Sequence, residues 1–173
     1  MICGLAASLP VAGLATPALA RGMGEFRSLK LSNWRTEEKI SCVYWADGEY
    51  IPEALAAFNY ILRDWRQESI AAMDPNVIDI LAKTQAMLGA EEGFEIVSGY
   101  RTAATNAQLR RRSRGVARKS FHMRAMAVDI AMKTRSARQI SRAGVALGHG
   151  GVGRYSRAEF VHLDSGPVRQ WGR

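Results

Sequence analysis

Three side chains able to bind a divalent metal stand out: His122 and Asp129 in "SFHMRAMAVD" (120–129), and His162 in "EFVHLDSG" (159–166). Two imidazoles and one carboxylate supply three protein donors and leave a fourth position for water. That is the pattern of a catalytic zinc site rather than a structural one, which is closed by four protein ligands. Seven positions separate His122 from Asp129, and on a regular strand an odd separation points side chains to opposite faces. The two converge only if the chain bends before the strand begins, through a bulge or a glycine-like turn. The plain alternative keeps all three apart, with His122 on a surface loop, His162 bonded to backbone in the core, and Asp129 capping a helix or paired with an arginine. His-x6-Asp with a distant His is by itself a loose signature. Arg101, placed after a strand and a glycine in "SGYRT" (98–102), is positioned either to face the metal or to make a surface salt bridge. Facing the metal, its guanidinium would neutralise an oxyanion or clasp a carboxylate.

The elements that must position these groups show in the periodicity. Residues 26–51 alternate and are rich in β-branched and aromatic side chains around Asp47-Gly48, which predicts a β-hairpin turning there. Pro52 suits a first helical position, and Leu55, Phe58, Ile61, Leu62 and Trp65 recur at spacings of three and four, so 52–66 reads as an amphipathic helix. A second helix fits "DPNVIDILAKTQAML", with Asp74 as N-cap, Pro75 at N1, Val77, Ile78, Leu81, Met87 and Leu88 inward, and Gly89 near its end. "FEIVSGY" (94–100) reads as a short strand stopped by glycine, and "TNAQLRRRSRGVARKS" as a short helix and a basic loop. "HMRAMAVDIAM" is a strand, "SARQISRAGVAL" a helix, "GHGGVGRY" a glycine-rich turn and "EFVHLD" a final strand. His149 reads as a loop residue, and Tyr155 as a second wall of the cleft.

A chain of 173 residues holds one core of ordinary size rather than two. With 47% hydrophobic and 23% charged residues, wholesale disorder and a multi-pass membrane protein are both excluded. The net charge of +8 favours polyanionic surroundings, whether nucleic acid, anionic lipid or an acidic wall polymer. "RRRSRGVARK" (110–119) puts much of that charge directly before His122, as a steering surface for an anionic substrate or as a merely solvated face. No helix-turn-helix or zinc-finger spacing accompanies it, and "GGVG" lacks the Lys and Ser/Thr of a phosphate loop, so no nucleic-acid partner is expected. Residues 1–20 carry no charge and close on Ala18-Leu19-Ala20, the small-x-small pattern of an export signal, although the basic start of such a signal is missing. Two prolines there argue against a stable membrane span. The working domain is then 21–173, with Cys42 its one cysteine, unable to form an internal disulfide and read as structural.

Taken together and in order, "LRDWR" (62–66), "SGYRT", Thr105-Asn106, Ser120-x-His122-x6-Asp129, "GGVGRY" (150–155) and "FVHLDSGPVRQW" (160–171) resemble the zinc peptidases of the D-alanyl-D-alanine carboxypeptidase superfamily. Within it the chain most resembles the periplasmic murein endopeptidase K group, over residues 26–171. The resemblance implies a single compact α+β domain, in which a small antiparallel sheet carries one zinc ion and helices pack on one side. It implies hydrolysis of peptide cross-links between peptidoglycan stem peptides, in the periplasm at the cell wall, with an envelope protein as a candidate regulator. A carboxypeptidase trimming terminal D-alanine, or a wall-binding module without catalysis, are the alternatives. His122, Asp129 and His162 fall on the metal ligands and Arg101 on the arginine that assists substrate or transition state. Zinc held there would lower the pKa of its water towards about 7 and polarise the scissile carbonyl. Glu159 matches the acid three residues before the last ligand in the wider superfamily and is expected to take the proton. Asp164, two positions after His162 and on the same strand face, is the alternative base or the residue that orients a ligand histidine. One departure stands out: the family usually has glycine where this chain has Ala125. If that position has positive φ, alanine strains the loop by about 1 kcal/mol, which puts zinc affinity in doubt rather than the fold.

Overall fold

The structure, a computed structural model, describes residues 25–113 and 115–172. The expected export signal at 1–20 lies outside them. Eight strands form one sheet: β1 (Phe26–Asn33), β2 (Glu38–Ala46), β3 (Glu49–Tyr50), β4 (Phe94–Ser98), β5 (Ala127–Ala131), β6 (Gly151–Tyr155), β7 (Phe160–Asp164) and β8 (Arg169–Gly172). Their order across the sheet is β3-β2-β1-β4-β5-β7-β6-β8. All neighbours are antiparallel except β1 with β4 and β6 with β8. The helices are α1 (Pro52–Ile61), α2 (Pro75–Leu88), α3 (Ala103–Arg112) and α4 (Ala137–Leu147), with one turn of 3₁₀ helix at Phe121–Arg124. The fold is α+β as expected, but the sheet is larger than the small one foreseen.

Local chemistry accounts for most element ends. Asp47 and Gly48 both take positive φ, the twist a two-residue hairpin turn needs. That turn joins β2 only to the two-residue β3; the longer hairpin, β1 with β2, turns at residues 34–37. In α2 the Asp74 carboxylate caps the Asn76 N–H, Pro75 follows, and Gly89 ends the helix in the left-handed region. Val77, Ile78 and Leu81 of this helix are buried, whereas Met87, expected inward, is exposed. Helix α1 stops at Ile61, short of the expected 66, because the following residues turn back and bridge Asp64 to Ser69. Ser136 and Gln139 form a reciprocal capping box at the start of α4.

Helices α2 and α4 pack on each other and both lie against β7, so they share one face of the sheet. Val128, Ile130, Val161 and Leu163 point into that layer and are fully buried. Gly144 brings α4 close: a Cβ there would stand 2.9 Å from Leu163 Cδ2. The opposite face of β5 and β7 is thereby left to Asp129, His162 and Asp164. Among the described residues no helix is long and apolar enough to cross a membrane.

Candidate metal centre

One row of cross-strand neighbours carries the site. Ser98 of β4 lies opposite Asp129 of β5, Asp129 opposite His162 of β7, His162 opposite Gly153 of β6, and Gly153 opposite Trp171 of β8. Period-two alternation puts directly paired residues on the same face. A bulge between Ile96 and Ser98 adds one residue to β4, so Ser98 rather than Val97 stands opposite Asp129. Its Oγ then accepts from Arg101 Nε at 2.8 Å.

His122 does not belong to the strand, which resolves the parity problem. It sits in the 3₁₀ turn, which Ala125 closes at φ 54° and ψ 31°, its N–H donating to His122 O. The alanine thus occupies the left-handed conformation that glycine adopts without cost. This turn aims His122 back over β5, with Nε2 at 3.1 Å from Asp129 Oδ1.

The three expected ligands come together. His162 Nδ1 is 2.9 Å from Asp129 Oδ1 and 3.1 Å from His122 Nε2. All three residues are buried, with 7% exposure or less. Outer partners fix the tautomers. His122 Nδ1 lies 2.7 Å from the Gly99 carbonyl, which only accepts, so Nδ1 carries the hydrogen and Nε2 a lone pair. His162 Nε2 lies 2.8 Å from Asp164 Oδ2, so it too carries the hydrogen and Nδ1 a lone pair. With the Asp129 carboxylate, three lone pairs converge on one small volume, which suits a cation. The donor set therefore fits a metal ion.

The electrostatics agree. Burial would push Asp129 up, but the two imidazoles hold it far below the usual carboxylate range. Burial pushes His122 below its ordinary value, with Arg101 and His162 adding to it, against the attraction of Asp129. Burial works the same way on His162, yet the Asp129 and Asp164 carboxylates beside its two nitrogens hold it above. An ionised carboxylate between two imidazoles, one of them kept neutral by burial, is the protonation pattern a cation site requires.

Arg101 joins the cluster as expected: Nη2 donates to His122 Nε2 at 3.1 Å and to Asp129 Oδ2. Asp164 is fully buried and oriented towards His162, its oxygens accepting from Arg169 Nη1 and Nη2 (2.9 and 2.7 Å), Gly166 N and Gly151 N. Glu159 is not brought in. It sits in the turn before β7 with φ 49°, and its carboxylate accepts from Ala137 N at 3.4 Å, at the start of α4. Tyr155 lies on the metal face, stacked on Phe160 and accepting from Trp171 Nε1. His149 is an exposed loop residue bonded to Leu147 O.

Several contributors were not legible in the sequence. Asp64 Oδ2 accepts from both N and Oγ1 of Thr102 at 2.9 Å, which ties the loop after Arg101 to the end of α1. Tyr100 N donates to Leu62 O at 2.7 Å, and Gly99 allows this approach, since a Cβ would fall 2.2 Å from Leu62 O. Gly151 and Gly153, read as a turn, are strand residues. A Cβ on Gly151 would meet Arg169 and Asp164, and one on Gly153 would stand 2.4 Å from the Trp171 ring. That ring leans on His162, centroids 5.2 Å apart.

Comparison with known proteins agrees with this geometry. The family model described as "Peptidoglycan L,D-endopeptidase MepK" matches residues 21–171. The chain belongs to that family. Proteins of Escherichia coli and Shigella flexneri carrying the same name are 40% identical to it over 166 residues, 96% of this chain and 89% of theirs. A Haemophilus influenzae protein named "Probable peptidoglycan L,D-endopeptidase MepK" is 36% identical over 146 residues, 84% of this chain and 78% of its own. The family is one of M15 peptidases, and a metal suits the buried triad that this member assembles.

Proposed function

We propose that this chain is a zinc-dependent peptidoglycan endopeptidase that hydrolyses peptide cross-links between stem peptides, and that it acts in the periplasm. The observation that carries the reading is the convergence of His122 Nε2, Asp129 Oδ1 and His162 Nδ1, each presenting a lone pair to the same point. Membership of a family whose curated relatives are named for this activity supports the substrate. Zinc is favoured among metals by the two-imidazole, one-carboxylate donor set. Donor atoms around tetrahedral zinc lie roughly 3.3–3.6 Å apart given bonds of about 2.0–2.2 Å, so the triad, now at 2.9–3.1 Å, would open by some tenths of an ångström to take it.

His122, Asp129 and His162 would hold the ion, which when bound supplies an acidified water and a polarised carbonyl. Around it the chain's own residues do the rest. Gly99 O and Asp164 hold the two imidazoles in the metal-binding tautomer. Arg101, fixed by Ser98, keeps a guanidinium edge beside the triad, where it stabilises a developing oxyanion or grips a substrate carboxylate. Trp171 covers one side of His162 and limits solvent there.

Glu159 and Asp164 are the two proton acceptors the sequence offers: Glu159 would have to leave its contact with Ala137 N at the start of α4 to reach the centre, and the saturated carboxylate of Asp164 suits orientation better than proton transfer. Glu159→Gln and Asp164→Asn separate them. The base is the residue whose loss lowers kcat by roughly 10²–10⁴-fold with metal retained, whereas the orienting residue loses metal affinity.

Incubation of purified sacculi with metal-loaded and chelated protein, followed by mass analysis, tests the whole reading. Cross-linked dimers should disappear only with metal. Loss of a single alanine would instead mark a carboxypeptidase, and wall binding without cleavage a non-catalytic module.

A further inference from the structure

Beside the candidate centre lies an array of stacked indoles and guanidiniums that the metal chemistry does not use. Arg35 Cζ stands 4.2 Å from the Trp34 ring centroid and 5.6 Å from that of Trp65, and Arg66 Cζ stands 4.3 Å from Trp65. Trp34 is 60% exposed, and Trp65 and Arg66 are half-buried. The array is coupled to the site through one carboxylate. Asp64 accepts from Arg66 N through Oδ1 and from Thr102 N through Oδ2, and Thr102 directly follows Arg101.

What the two guanidiniums lack is a carboxylate in ion-pair contact. Arg27 has Asp79, Arg63 has Glu38 and Glu68, Arg101 has Asp129, and Arg169 has Asp164. Among the described residues no carboxylate forms an ion pair with Arg35 or Arg66. Burial and then the neighbouring charges of Arg35, Arg101 and Arg112 hold Arg66 below its ordinary value, and Asp64 does not offset them. A guanidinium stacked on an indole keeps its plane fixed and its N–H edge free, which suits bidentate capture of a carboxylate.

We propose that Arg66, stacked on Trp65, and Arg35, stacked on Trp34 beside it, form a subsite for a free carboxylate of the substrate's stem peptide, next to the bond held at the metal centre. The nature of the ligand rests on the peptidase reading. The feature that needs a partner is unpaired charge, so the occupant is the anionic peptide rather than the uncharged faces of the sugars.

The test is calorimetric binding to the full metal-loaded chain at a temperature and time that limit turnover. The probes are a sugar-free cross-linked stem peptide with free carboxylates and the same peptide with its carboxylates amidated. The wild type should bind the acid at least tenfold more tightly than the amide. Arg35→Gln/Arg66→Gln should bind the two alike, and Arg66→Lys should keep part of the preference. Melting temperature and metal content report that the variants are folded, and the exposed Arg35→Gln alone gives a second reading if the double variant is not. The proposal is overturned if the wild type does not bind the acid or does not prefer it, or if the folded variant keeps the full preference. Trp34→Ala losing affinity for sacculi while that preference persists in Arg35→Gln/Arg66→Gln would mark a sugar platform and overturn it too. Intact sacculi would indicate failure of the proposed activity alone, since an Arg66-dependent preference for the acid is read without cleavage.

Discussion

The proton on each candidate ligand is placed from outside the metal position: Gly99 O takes the hydrogen of His122 and Asp164 that of His162. Asp164→Asn leaves all three ligands in place but removes the negative charge behind His162 and unpairs Arg169. Metal affinity should fall by roughly 10–100-fold, measured by competition with a chromophoric chelator. An unchanged affinity would show that Asp164 does not tune the site. Ala125 is a second case where magnitudes decide. Its left-handed conformation costs about 1–2 kcal/mol, yet its methyl is buried, and losing it forfeits about 0.8 kcal/mol of burial plus the added entropy of glycine in the unfolded chain. Ala125→Gly should therefore be within about 0.5 kcal/mol of neutral by denaturant unfolding, because these effects offset. Ala125→Val, a β-branched residue at positive φ in a buried place, should cost about 2 kcal/mol or more. At this scale residue type narrowed the candidates without deciding them: His-x6-Asp with a distant His is loose, and only the order of motifs shared with a family put His122, Asp129, His162 and Arg101 together, as the sheet register and the 3₁₀ turn do in space. Glu159 shows the limit. Its sequence distance from His162 was right for a base, but positive φ in the turn before β7 sends its carboxylate to the start of α4.

Elements with strong local signals were legible and those defined by tertiary contact were not. Asp74, Pro75 and Gly89 mark both ends of α2 by capping chemistry alone. Strand β6 was hidden because Gly151 and Gly153 look like a turn; they are glycine because Arg169, Asp164 and the Trp171 ring occupy the space a side chain would fill. Strand β8 carries no buried residue, so no apolar alternation betrays it. The end of α1 was overrun because "LRDWR" keeps a helical spacing, while Asp64 is recruited to Thr102 instead. That recruitment is open to test. Asp64 is buried and accepts from Thr102 N, Thr102 Oγ1 and Arg66 N. Burial would raise its pKa, but the nearby Thr105 hydroxyl and these hydrogen bonds hold it below the ordinary value of 3.8. A carboxyl depressed in the folded state stabilises the fold above its unfolded pKa and loses that contribution as pH falls through the folded value. Asp64→Asn should thus cost about 1–3 kcal/mol at neutral pH. The gap from wild type should close as pH drops below 3.8, followed by urea unfolding across that range. A gap independent of pH would show that the charge on Asp64 is not what holds the loop.

Across the whole molecule, the candidate ligands come from the 3₁₀ turn, β5 and β7, and the arginine beside them from the loop after β4. These segments are distant in sequence and meet at the middle of the sheet, so a cation held there would join parts of the chain that otherwise touch mainly through strand pairing. Because the unfolded chain does not bring the three together, binding free energy becomes folding free energy. At free zinc one hundred times its dissociation constant, the gain is about 2.7 kcal/mol. For a domain of this size each kcal/mol moves Tm by about 2–4 °C, so zinc should raise Tm by roughly 5–10 °C in differential scanning fluorimetry, and a chelator should reverse it. His162→Ala should melt at one temperature with and without zinc. The comparison matters more than the wild-type shift alone, because zinc adhering to surface acids or to His149 would move both proteins equally. A shift that survives in His162→Ala would put the ion elsewhere and detach the buried triad from metal binding.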